Sequence, residues 1–136
     1  METLHIIQLL EATQLFEKKL NMALMYSGLR IPQYRAMLFL EVSGNITVSD
    51  LSRYLNVTRA TMSILANELL KADIIEHKNN PKDKRSFYIR LTESGQRRLS
   101  LARKEVELVQ EKISKGLPEE TINALNQIVN SIISKN

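Results

Sequence analysis

The sequence predicts a mainly α-helical chain with one small β-hairpin, and three observations carry that expectation. Apolar residues recur at helical spacing along most of the 136 residues. A single stretch, Phe87 to Leu91, instead alternates side chains on a period of two, as a strand does. The segment before it, Lys78-Asn79-Asn80-Pro81-Lys82, is dense in turn formers and cations, and Asp83-Lys84-Arg85 continues the charged turn.

The first helix is expected from Ile6, Leu10, Phe16, Leu20 and Leu24, broadened by Ile7, Leu9 and Ala23, and ends near Ser27-Gly28, where glycine suits a left-handed cap. Its apolar stripe is wide enough for two covering surfaces. A second helix follows Ile31-Pro32, carries Tyr34, Met37, Leu38, Phe39 and Leu40, and stops by Ser43-Gly44-Asn45. Thr47 with Asp50 three residues on reads as an N-cap opening a short helix with Leu51, Tyr54 and Leu55. Asn56-Val57 turn the chain. A longer helix then starts at Thr58 and runs to about Lys71, with Ile64, Leu65, Leu69 and Leu70 expected inside.

Short helix, tight turn and longer helix make a helix-turn-helix. Ile74-Ile75 lead into a strand, the Asn79–Arg85 turn follows, and the return strand puts Phe87, Ile89 and Leu91 on one face and Ser86, Tyr88 and Arg90 on the other. Thr92 opens a long helix with Leu99, Ala102, Val106, Val109 and Ile113, which Gly116-Leu117-Pro118 ends. Glu119 and Glu120 favour the positive end of a last helix carrying Ile122, Leu125, Ile128, Val129, Ile132 and Ile133.

The chain is one domain by length, with no cysteine and no span near the ~20 apolar residues that cross a bilayer. No signal-peptide pattern opens it, so a cytoplasmic location is expected. Net charge is +4, unevenly placed: residues 30–104 hold 14 Lys/Arg against 7 Asp/Glu, while both ends are mildly acidic. A central basic zone suits a polyanion. No nucleophile triad, phosphate loop or paired-carboxylate pattern suggests an enzyme. His5 and His77 stand apart without ligand-spaced partners, so neither a metal nor another cofactor is expected. Met22, Met25, Met37 and Met62 read as core filler, and Arg97, Arg98, Arg103 and Lys104 as a solvated helix face.

The helix order, with Leu29-Arg30-Ile31-Pro32-Gln33-Tyr34, Ile46-Thr47-Val48-Ser49-Asp50-Leu51 and above all Asp83-x-Arg85-x-x-x-Ile89-x-Leu91-Thr92-x-x-Gly95, resembles the MarR family of transcriptional regulators. The resemblance implies a winged helix-turn-helix lobe over 30–92 and N- and C-terminal dimerisation helices over 1–28 and 93–136. It implies a homodimer, commonly a repressor, on an inverted-repeat operator in double-stranded DNA. Thr58, Arg59, Thr61, Ser63 and Asn67 would lie on the recognition helix, with hydroxyls and a guanidinium suited to phosphate and base-edge contact. Arg85 would enter the minor groove with Asp83 orienting it, and Lys82 and Lys84 would meet phosphates.

Ile64 and Glu68 occupy positions commonly basic in that family, which shifts the expected readout to Arg59 and the hydroxyls. Asp73 stands where a helix-ending glycine is usual, and His77 replaces a frequent arginine. A small-molecule effector pocket is expected near Phe16, Tyr26, Arg30 and Tyr34. The alternative is a winged-helix protein-interaction module that does not read DNA specifically.

Overall fold

The computed structural model describes residues 1–135; the last position of the expected 93–136 segment lies outside the described residues. Helix α1 (Ile6–Leu24) passes through a 3-10 turn at Met25–Ser27 into Gly28, whose φ of 66° is the left-handed cap. Helix α2 (Ile31–Ser43), strand β1 (Ile46–Thr47), α3 (Val48–Leu55) and α4 (Arg59–Lys71) follow. Strands β2 (Ile75–Asn79) and β3 (Phe87–Leu91) form the hairpin, and α5 (Glu93–Lys115) and α6 (Glu119–Lys135) complete the chain.

The helix starts are set by local chemistry. Thr47 Oγ1 accepts from the Asp50 amide at 3.1 Å, and Asp50 Oδ2 accepts from the Thr47 amide at 3.0 Å, a reciprocal capping box. Thr58 and Thr92 cap α4 and α5 in one direction only, their hydroxyls accepting from the amides of Thr61 and Gly95. Asn56 and Asp73 both sit at positive φ, 55° and 58°. Aspartate thus takes the left-handed position after α4, which short polar side chains tolerate better than most.

The sheet has three antiparallel strands in the order β1-β3-β2. Strand β1 is an element the apolar pattern did not predict: two residues are too short for a period-two signal. It exists because β3 offers a free edge, pairing Ile46 with Ile89 and Thr47 with Tyr88. Ile75 pairs with Leu91 and Asn79 with Phe87 across the hairpin.

One core joins the lobes. Leu24, Met37, Leu51, Met62, Leu69, Ile74, Ile75, Ile89 and Leu99 are fully buried. Helix α5 ties this core to α1, burying Leu99, Ala102 and Val106 along its first half.

Several expectations are corrected. Ile64 is not on the inner face of α4: it is 63% exposed, and the buried residues are Met62, Leu65, Ala66 and Leu69. Of the four methionines expected as core filler, only Met37 and Met62 fill the core, while Met22 and Met25 are exposed. Arg98 and Arg103 are not free on a solvated face. Arg98 Nε donates to the Ser27 carbonyl at 2.7 Å, fastening α5 to the end of α1, and Arg103 pairs with Glu41 of α2. Phe87 lies on the expected face of β3 but beyond the core, stacked on His77 with ring centroids 5.1 Å apart.

Candidate nucleic-acid interface

Two exposed surfaces of the 30–92 segment carry the expected contact residues. On α4, Thr58, Arg59, Thr61, Ser63 and Asn67 are all exposed. Thr58 Oγ1 accepts from the Thr61 amide at 3.1 Å, so this hydroxyl already caps the helix. Arg59 leans towards α3, with Nη2 3.4 Å from Ser49 Oγ.

Successive residues turn by about 100° in a helix, so the buried set fixes where the remainder point. Ala60, Ile64, Asn67 and Lys71 aim within about 30° of the direction opposite the core. Arg59 and Thr61 lie on the two flanks. The outward centre of α4 therefore includes Ala60 and Ile64. Counting α4 at 3.6 residues per turn from Met62 would have found both in the sequence.

Glu68, on the Thr61 flank, is drawn into a cluster with α2. It forms an ion pair with Arg30, and its Oε2 accepts from Gln33 Nε2 at 3.0 Å. Gln33 Oε1 in turn accepts from the Arg30 amide at 2.9 Å, closing the start of α2. The link fastens the recognition helix to α2 and places one cation beside it. Sequence spacing gave no signal for a contact between residues this far apart.

The wing is the loop between β2 and β3. Asn80 organises it: Oδ1 accepts from the Lys82 amide and Nδ2 donates to Ser86 Oγ, each at 3.0 Å. Asp83 Oδ1 accepts from the Arg85 amide at 2.9 Å and lies 3.5 Å from Arg85 Nε. The Arg85 side chain is 94% exposed, a guanidinium held at its base and free at its tip. Lys82 and Lys84 flank it, both exposed. An exposed pair of this kind adds little stability, at most about 1 kcal/mol. Its effect is to orient the cation.

The residues expected around an effector do not share one cavity. Phe16 and Tyr34 line a cleft of about 520 Å³ between α1, α2 and α5, with Leu20, Leu38 and Val106. Burial holds the Tyr34 phenol above its ordinary 10.0, with Arg103 pulling the other way. Tyr26 lines a separate groove of about 360 Å³ with Lys19, Met22 and Lys112. Arg30 belongs to the Glu68 cluster and opens onto the recognition helix.

The family model described as MarR family matches residues 27–86, the span from the end of α1 through the wing. No curated protein matches the sequence. Among solved structures, the transcriptional repressor CouR, bound to a 23-mer DNA duplex, is similar with a TM-score of 0.90 at 19% identity, covering 96% of this chain and 92% of that one. Wild-type apo MarR from E. coli gives 0.82 at 20% identity, covering 96% and 98%. The transcriptional regulator PA4135 gives 0.84 at 23% identity, covering 99% of each chain. The family model over the helix-turn-helix and wing, and a fold shared along nearly the whole length, agree: residues 27–86 are similar to the MarR family, and the chain has the winged helix-turn-helix fold of the transcriptional regulators it resembles.

Proposed function

We propose that the chain is a homodimeric repressor that reads an inverted-repeat operator and is released by a small molecule. The observation that carries the DNA-reading part is the pairing of an outward-facing α4 with the exposed, Asp83-anchored Arg85 on the same lobe. Residues 30–92 are the reading lobe, and residues 1–28 and 93–136 the dimerisation region. Thr58, Thr61, Ser63 and Asn67 contact the major groove, Arg59 a phosphate, Arg85 the minor groove, and Lys82 and Lys84 the flanking phosphates. The existence of similar structures with bound DNA, CouR and a MarR variant from E. coli complexed with operator DNA, supports this arrangement.

Dimerisation is supported by apolar surface at the chain ends. Ile6, Ile7 and Leu10 of α1 and Leu125, Ile128, Val129 and Ile133 of α6 are exposed in the single chain. Apolar helix faces left uncovered in this way mark an interface. A two-fold axis between the protomers would set the recognition helices about one turn of DNA apart. A ligand in the Phe16–Tyr34 cleft touches α1, α2 and α5 together, so it can favour one spacing of the two lobes over another.

The test combines sedimentation with a salt titration of DNA binding. Wild type should be a dimer at micromolar concentration, and Ile128→Glu a monomer of weakened affinity. Three phosphate-contacting cations per protomer (Arg59, Lys82 and Lys84), six in the dimer, give an expected slope of log K against log salt of about −5. A monomeric wild type removes the dimer; a slope near zero removes the phosphate contacts.

A further inference from the structure

We propose that Ile64 is a specificity-determining residue that reads the C5-methyl group of a thymine in the major groove. The inference rests on the DNA-reading role argued above and assigns it a chemical preference. Ile64 is 63% exposed near the outward centre of α4, although it is a large β-branched side chain. Such a residue is neither a good helix former nor at home in water. Ala60, one turn earlier on the same face, is also exposed and apolar. Together they make a short apolar strip, with Thr61, Asn67 and Glu68 around it.

An isoleucine has no donor or acceptor, so among the features of base edges in the major groove it complements only the thymine methyl. Set against the exposed amino group of adenine or cytosine it would strip water without replacing the hydrogen bond, which disfavours those bases. The carboxylate nearest the strip is also committed elsewhere. Glu68 Oε2 is engaged by both Arg30 and Gln33, directing that group towards α2. The adjoining hollow of about 230 Å³, lined by Val57, Thr61, Ile64 and Leu65 among others, gives the strip a concave apolar flank.

The test needs an operator first, obtained by selection with the wild-type protein from random duplex DNA. Each thymine of one half-site is then replaced in turn by deoxyuridine, which removes the methyl and leaves the hydrogen-bonding edges unchanged. One position should weaken wild-type binding by about fourfold, the equivalent of ~0.8 kcal/mol for one buried methyl group. In Ile64→Ala, which keeps a good helix former at an exposed site, thymine and deoxyuridine at that position should bind equally. Arg85→Ala should lose affinity overall while keeping the fourfold difference.

A deoxyuridine effect of the same size in wild type and Ile64→Ala overturns the inference, as does insensitivity of every thymine. If no duplex is enriched and wild type binds none at low salt, the DNA-reading role itself fails and this assignment with it.

Discussion

Gly95 offers the sharpest test of how the wing is held to the helical core. It sits three residues into α5, in the Thr92-x-x-Gly95 end of the wing motif, and its backbone is ordinary helix. Conformational freedom is therefore not what glycine supplies here. A Cβ added at this position would overlap the Ile74 carbonyl oxygen and lie 3.0 Å from its carbon and 3.2 Å from its Cα. These are backbone atoms, so no side-chain rotation relieves the clash. The same carbonyl accepts from the Thr92 amide at 2.9 Å and from Thr92 Oγ1 at 3.2 Å, closing the start of α5 against the end of α4.

Gly95→Ala must push α5 away from Ile74 and stretch both bonds. Overpacking of a tight site costs about 1–3 kcal/mol. Two weakened hydrogen bonds add about 1–2 kcal/mol, and better helix propensity returns about 1 kcal/mol. The net expected loss is about 1–4 kcal/mol, read as the shift of a urea unfolding midpoint at unchanged slope. Gly116→Ala is the control: its nearest neighbour is the Ile113 carbonyl oxygen at 3.5 Å, so stability should stay within about 0.5 kcal/mol. If Gly95→Ala unfolds at the wild-type midpoint, the close approach of α5 to Ile74 is not what holds the wing.

Three further outcomes follow from the same structure. Arg85→Ala should weaken binding to all DNA sequences, and Asp83→Asn should do so less, because the Arg85 amide loses a charged acceptor but the guanidinium remains; equal affinities for wild type and Arg85→Ala would show that the wing does not touch DNA. Hydrogen bonds from Gln96 and then Arg103 hold the Glu41 carboxyl below its ordinary 4.5, so its contribution is complete above that value and is lost as pH falls through the depressed folded value. Glu41→Gln should therefore lose less stability than wild type on acidification, a difference read by urea midpoints at neutral and acid pH. Met62→Ala should cost about 2–5 kcal/mol because Met62 is fully buried, whereas Met25→Ala should stay within about 0.5 kcal/mol, both measured by urea unfolding.

What the sequence made legible was mostly local. Thr47, Thr58 and Thr92 cap helices through amides three residues away, and Gly28 ends its turn through its own backbone, so short spacings sufficed. The wing was readable for the same reason: Asn80, Asp83 and Arg85 bond within one loop. Long-range matters were not. β1 depends on a partner more than 40 positions away. Arg98 and Arg103 read as solvated cations because nothing in their spacing reveals that Ser27 and Glu41 face them. Ile64 and Leu65 cannot both face the core, because helical geometry turns adjacent residues apart by about 100°. Glu68 and Arg30 meet across 38 residues, so the cluster beside the recognition helix had no sequence signature.

In the proposed function, α4 and the Arg85 wing read DNA together as a symmetric pair. Selection of bound duplexes from a random pool, carried out in parallel with wild type and Arg85→Ala, tests it most directly. Wild type should enrich an inverted repeat with half-site centres about 10 base pairs apart. Arg85→Ala should enrich the same core at lower affinity, with its preference for a narrow minor groove beside each half-site reduced. Enrichment of no common sequence by wild type, or of an unpaired single half-site, would contradict the account.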